Sequence, residues 1–297
     1  MNLHMIHFYR IWLSAMRPRT LSASVAPVAM GTAIAYGDGL FHFGGAIAAL
    51  IGALGIQVAC NFANDFFDAR QGADTAERLG PVRAVAAGLV SARAMLFATI
   101  AVIIFVVLPC VVYLAFRGGW PFVVLGVVSV ILAFAYTGST WSLAYLGLGD
   151  IFAFLFFGPV AVAGTYAAQA IVWSWTPAIA GCGVGLLACA LISVNNLRDE
   201  PTDRLAQKRT LAVRFGPAWA RMEFTTCIIA AALMAISIAA WSSRWWCASA
   251  AIASCALVPS MFRVIRGESG RPLNRELAAT GQATFGYGIL FSIGWNL

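Results

Sequence analysis

Two short stretches concentrate the side chains that could do chemistry. The first reads Asn61-Phe-Ala-Asn64-Asp65-Phe-Phe-Asp68-Ala-Arg70-Gln-Gly72-Ala-Asp74, and the second reads Asn195-Asn196-Leu-Arg198-Asp199-Glu200-Pro-Thr-Asp203-Arg204. If the first continues a helix, residues 61, 64 or 65, and 68 fall on one face, at a spacing that normally belongs to a core stripe. Here that stripe is amide and carboxylate. In the second, 195 or 196, 199 and 203 share a face in the same way, and Pro201 is expected to kink or restart the helix. Clustered carboxylates and amide oxygens are the ligand set for Mg²⁺, which keeps several waters and commonly bridges to substrate phosphates. Four aspartates contribute −4, two Mg²⁺ would contribute +4, and a diphosphate brings about −3 if each phosphate is mostly ionised. The remaining negative charge needs donors. Arg70, Arg83, Arg198, Arg204, Lys208, Arg209 and Arg214 lie in the same two regions, and arginine offers a planar fork to phosphate oxygens.

The surroundings of these residues are lipid-like. The 297-residue chain is 61% hydrophobic and only 10% charged, against about 25% charge in an ordinary soluble domain. Runs free of Asp, Glu, Lys and Arg cover 20–37, 39–64, 94–116, 118–149, 151–197, 224–243, 245–262 and 277–297. Each is long enough for a span of roughly 20 residues. The run 151–197 divides at Gln169 to Pro177, and Gly138 to Ser142 ends the helix within 118–149. The expectation is an all-α bundle of nine transmembrane helices forming one domain over residues 1–297, with residues 1–16 as an interfacial lead-in helix.

Charge orients the bundle. Threading the spans alternately puts 17 of the 19 basic residues on one side, leaving Arg117 and Arg244 opposite. Lys and Arg near span ends are retained in the cytoplasm, so this side and the chain start are expected to be cytoplasmic. The net charge of +7 is therefore a topology signal, and no basic block interleaved with aromatics points to nucleic acid. Eleven of twelve acids share that side, Asp38 being the exception. A carboxylate at a helix centre costs about 2.5–3.5 kcal/mol on insertion scales, so clusters at span ends need a reason. Asp65 and Asp199 are 134 positions apart and Asp68 and Asp203 are 135, a spacing that hints at internal duplication. Seven cysteines without a CxxC pair read as packing residues, and His4, His7 and His42 stand too far from acids to form a zinc or haem site. Trp173, Trp175, Trp241, Trp245 and Trp246 read as an interfacial belt.

Taken together these residues resemble the UbiA superfamily of intramembrane aromatic prenyltransferases, whose two aspartate-rich motifs look like Asn64-Asp65-x-x-Asp68 and Asp199-x-x-x-Asp203. Further matches lie in Gly72-Ala-Asp74-Thr through Arg78-Leu-Gly80-Pro81-Val-Arg83, and in Asn195 through Lys208-Arg-Thr210-Leu-Ala-Val-Arg214-Phe-Gly216. Arg17-Pro18-Arg19-Thr20, Tyr136-Thr137-Gly138, Tyr145-x-Gly-x-Gly149-Asp150 and Leu273-Asn274 extend the likeness over most of the chain. The pattern resembles the branch that prenylates 1,4-dihydroxy-2-naphthoate in menaquinone synthesis. Two positions depart from it, Phe66 where the branch more usually has Tyr and Asp150 where it more usually has Glu.

The resemblance implies Mg²⁺-dependent transfer of a polyprenyl group from an allylic diphosphate to the naphthoate ring, with loss of CO₂ and diphosphate, at the bacterial inner membrane. Asp65, Asp68, Asp199 and Asp203 would be metal ligands, with Asn64. Asn61, Asn195 and Asn196 would assist, and Arg70, Arg83, Lys208 and Arg214 would contact the diphosphate. Of the aromatic residues Phe67, Tyr136, Trp141 and Tyr145, we expect Tyr136 and Tyr145 to face the developing cation. Asp74 is placed either to accept a hydroxyl proton or to remain a solvated loop acid. The nearest rival acceptor is 4-hydroxybenzoate. Phosphoalcohol transferases gather their acids in one continuous motif, and a cation or metabolite transporter would place acids near mid-membrane; the split, terminal acids here fit neither.

Overall fold

The computed structural model describes residues 3–70, 79–80, 83–136, 138, 142–143 and 145–297, the side chains of 3–7 and 19 excepted. Asp74, Arg78 and Trp141 lie outside the described residues. Among the described residues the architecture is helical throughout. The order is α1 (Leu3–Met16), α2 (Pro18–Gly37), α3 (Phe43–Arg70), α4 (Ala92–Gly118), α5 (Trp120–Ala135) and α6 (Gly149–Ala170). Then follow α7 (Trp175–Leu205), the short α8 (Leu211–Phe215), α9 (Pro217–Ser242), α10 (Trp245–Ile265) and α11 (Leu273–Trp295).

Local chemistry explains the starts. Ser91 and Ser174 accept from the amides of Ala94 and Thr176 at 3.2 and 3.3 Å, capping α4 and α7. Pro217 opens α9 directly after Gly216. Six helices are long and apolar enough to cross a membrane: α3, α4, α6, α7, α9 and α10. The chain is an integral membrane protein. The expected count of nine spans is not reached on length and hydropathy alone, because α2 and α11, of 20 and 23 residues, dilute their apolar residues with Gly, Ser, Thr and Asn, and α5 is only 16 residues long.

Pro201 does not restart α7, which runs 31 residues through it to Leu205. Proline there removes the amide that would donate to the Leu197 carbonyl, and the Thr202 hydroxyl donates to the Asp199 carbonyl at 2.9 Å. Asp199 and Asp203 therefore stay one helical turn apart on a continuous helix. Conversely, α6 is broken at Gly158 between Phe157 and Pro159. A Cβ at Gly158 would lie 2.6 Å from the Phe154 carbonyl oxygen and 2.7 Å from that of Gly181, so the bare backbone lets α6 seat against α7.

The helices form a ring, α2, α3, α4 with α5, α6, α7, α9 with α10, and α11 back to α2. The main apolar core lies where α2, α7, α9, α10 and α11 meet, around Tyr287, Phe224, Phe291 and Met30. One end of the ring is clamped by Arg244, which donates to the carbonyls of Trp295 at 2.6 Å and Gly37 at 3.2 Å and lies 3.9 Å from Asp38. Arg117 meets His42 at 2.9 Å at that same end, and the five tryptophans Trp173, Trp175, Trp241, Trp245 and Trp246 are exposed. The two aspartate stretches emerge at the other end.

Candidate active site

The last turns of α3 and the end of α7 both face one cavity of about 1400 Å³, lined by α2, α3, α4, α5, α6, α7 and α11. Asn61, Asn64, Asp68, Arg83, Tyr136, Asn195, Asn196, Asp199, Asp203 and Lys208 line it. Helix geometry explains the selection on α3, since 61, 64 and 68 project to one side. Asp65 projects elsewhere. Its two carboxylate oxygens accept from the amides of Ala84 and Val85, at 3.0 and 3.2 Å, so it holds the segment that carries Arg83.

Asp65, Arg70, Tyr145 and Arg214 are not among the described residues that line the cavity. The exposed Arg70 lies with its guanidinium 5.5 Å from the Phe66 ring centroid. Tyr145 is buried, with the Lys208 ammonium 5.8 Å from its ring centroid, so it stands behind the lysine. Arg214 is exposed and donates to the Arg209 carbonyl at 3.0 Å. Gly147, at φ +71°, permits that arrangement, because a Cβ there would sit 2.7 Å from the Arg209 oxygen.

Inside the cavity mouth, Asp68 is 1% exposed and meets Arg83 at 2.5 Å through Oδ2. Its Oδ1 is buried with no hydrogen-bond partner among the described residues. A buried carboxylate oxygen without a donor is costly, and a cation would satisfy it. On α7, Arg198 donates to both oxygens of Asp199 at 2.7 and 2.6 Å and to the Asn195 amide oxygen at 2.9 Å. Asn61 is a structural anchor, donating to the Met16 carbonyl at 2.9 Å and the Thr20 hydroxyl at 3.3 Å where α1 turns into α2. Asn196 donates to Asp150 at 3.5 Å.

No three of the four motif aspartates bring ligand atoms within 4.8 Å of one another; among the described residues the group that does is Asp150, Cys189 and Glu223. That group lies between α6, α7 and α9, and its thiol is a poor partner for a hard ion. The oxygen ligands facing the cavity, Asn64, Asp68, Asp199 and Asp203, suit a hard divalent ion bridged through water or phosphate. The sequence gives no sign that Glu223 joins this group, because the apolar run begins at residue 224; α9 starts at Pro217 and takes the acid nearly two turns into the helix.

The UbiA prenyltransferase family model matches residues 24–279. The chain belongs to that family. It is therefore an intramembrane prenyltransferase, and UbiA relatives resemble it along nearly its whole length. It is 34% identical over 272 residues to the 1,4-dihydroxy-2-naphthoate octaprenyltransferase of Mycobacterium tuberculosis, covering 92% of each chain. The protein of the same name from Escherichia coli is 35% identical over 235 residues, covering 76% of this chain and 75% of that one. The fold matches a UbiA homologue from Archaeoglobus fulgidus bound to DMAPP and Mg²⁺, with TM-score 0.62, 13% identity and coverage of 95% and 99%. It also matches a digeranylgeranylglyceryl phosphate synthase with TM-score 0.65, 12% identity and coverage of 97% and 98%.

Proposed function

We propose that this UbiA protein transfers a polyprenyl group from an allylic diphosphate to 1,4-dihydroxy-2-naphthoate in menaquinone synthesis, a reading supported by relatives named 1,4-dihydroxy-2-naphthoate octaprenyltransferase. The observation that carries the site is that Asp68, whose Oδ1 is buried without a hydrogen-bond partner among the described residues, lines one cavity together with Asn64, Asp199 and Asp203. These four side chains would hold Mg²⁺, which when bound supplies positive charge beside the diphosphate. Arg83 and Lys208 line the same mouth and take diphosphate oxygens as the allylic C–O bond breaks and its electron pair leaves with the diphosphate. Tyr136, also lining the cavity, presents a π-face to the allylic cation. The electron-rich ring forms the new C–C bond, and loss of CO₂ returns an electron pair to the ring, so the chain need supply no strong base.

Below the mouth the cavity continues as an apolar arm lined by Ala48, Gly52, Val107, Cys110, Leu114 and Phe122. Asp68 and Ala48 are 20 residues apart on α3, about 30 Å at 1.5 Å per residue, which matches the hydrocarbon thickness of a bilayer. This arm excludes water from the cation and takes the isoprenoid tail. The reading further takes α2, α5 and α11 as spans that complete a nine-helix single domain over residues 1–297. It also puts the aspartate end at the cytoplasmic face of a bacterial inner membrane, because the basic residues gather there.

The test offers detergent-purified protein 1,4-dihydroxy-2-naphthoate and 4-hydroxybenzoate with an allylic diphosphate and Mg²⁺. Prenylated naphthoate with one CO₂ released per diphosphate is expected. Product from 4-hydroxybenzoate alone would move the chain to another acceptor, and no diphosphate release with either would remove the reaction.

A further inference from the structure

We propose that Asn274, the second residue of α11, is a positioning residue that ties the two aspartate stretches to each other. The inference rests on the prenyl-transfer reading of the site. Asn274 touches no reacting group assigned above, yet its amide bonds in two directions. Its Oδ1 accepts from Arg198 Nη1 at 2.8 Å, and its Nδ2 donates to the Leu79 carbonyl at 3.0 Å.

Each of those bonds leads to a metal-binding aspartate. Arg198 is 3% exposed and grips both oxygens of Asp199, so whatever fixes the guanidinium plane fixes the direction of that carboxylate. Leu79 lies four residues before Arg83, whose Nη2 meets Asp68. The linkage thus runs from the Arg83 segment through one amide to Arg198 and Asp199, across residues 195 and 76 positions apart in sequence. A side-chain amide suits the place because it donates and accepts at once without carrying charge. Aspartate cannot donate to Leu79, and leucine can do neither.

The base under Asn274 is rigid. Leu273 is fully buried, and Glu276, also fully buried, takes a bidentate pair from Arg263 of α10 at 2.8 and 3.0 Å. Supporting contacts of this kind hold a liganding group in its productive direction.

The experiment compares wild type, Asn274→Ala and Asn274→Asp as full-length protein in detergent. Turnover gives the half-saturating Mg²⁺ concentration and KM for each substrate, and calorimetry gives the Kd for inorganic diphosphate with Mg²⁺, without acceptor. In Asn274→Ala we expect the Mg²⁺ requirement, the KM for prenyl diphosphate and the Kd for diphosphate each to rise about tenfold, the scale of one lost hydrogen bond to a charged group. The KM for the aromatic acceptor stays unchanged. Asn274→Asp, which keeps the acceptor for Arg198 and loses the donor to Leu79, falls between. A lower thermal midpoint with diphosphate binding unchanged in either variant would make Asn274 merely structural and overturn the proposal. Wild type that binds diphosphate without turning over would instead remove the prenyl-transfer reading and leave the calorimetric comparison standing.

Discussion

Asp65 and Asp68, one turn apart on α3, divide two jobs. Asp68 lines the cavity and keeps one buried oxygen without a partner among the described residues, whereas Asp65 spends both oxygens on the amides of Ala84 and Val85. Asp68→Asn is expected to lower kcat by about 100-fold or more, the scale of losing a charge-stabilising group, in protein that still folds. Asp65→Asn turns an NH₂ toward a backbone N–H, so it should lose about 1–3 kcal/mol of stability and disturb the Arg83 segment. Thermal unfolding beside turnover separates them; an Asp65→Asn protein of wild-type stability would contradict this division. The sequence pattern reached the stretch and the type of chemistry, but a period of 3.6 residues leaves 64 and 65 almost equally close to one face. Only the path of residues 83–85, set by tertiary packing, decides between them. Arg70 and Arg214 share the two aspartate regions and the resemblance, yet both side chains are exposed and neither lines the cavity.

At the scale of elements, what the sequence conveyed were the helices, because apolar runs bounded by Gly, Pro and Ser are local signals. It left open whether α7 runs through Pro201 or restarts there, which tertiary packing decides, and it gave no sign of the break at Gly158, which depends on how closely α7 approaches. Gly181→Ala would set a Cβ 2.7 Å from the Gly158 carbonyl oxygen, a backbone atom with little room to yield. A loss of about 1–3 kcal/mol is expected in thermal or denaturant unfolding. Gly52 is different: a Cβ there meets only Cys110, at 3.5 Å. Gly52→Leu should therefore fold, fill the apolar arm and lower kcat/KM for long prenyl diphosphates about tenfold or more, while dimethylallyl diphosphate is used as before. Equal use of long and short donors by that variant would place the tail elsewhere.

For the whole molecule, the sorting of charge was readable because lipid forces it. Arg117, Arg244 and Asp38 gather at the end opposite the aspartate stretches and meet partners there. Contacts such as Asn274 with Arg198, or Asp150 with Glu223, join residues far apart in sequence and leave no local trace. Orientation is testable in a background carrying Cys255→Ser, since Cys255 is the exposed thiol. Arg204→Cys should react with an impermeant maleimide in inverted vesicles and Trp246→Cys in right-side-out ones; the reverse pattern would invert the topology.

The central claim is that the ends of α3 and α7 jointly hold a divalent ion and a diphosphate. Mn²⁺ binding followed by electron paramagnetic resonance, with inorganic diphosphate present, tests it in wild type, Asp68→Asn and Asp199→Asn. We expect either substitution to weaken Mn²⁺ binding by about tenfold or more in protein that remains folded. Wild-type affinity in either variant would contradict a site shared between the two helices.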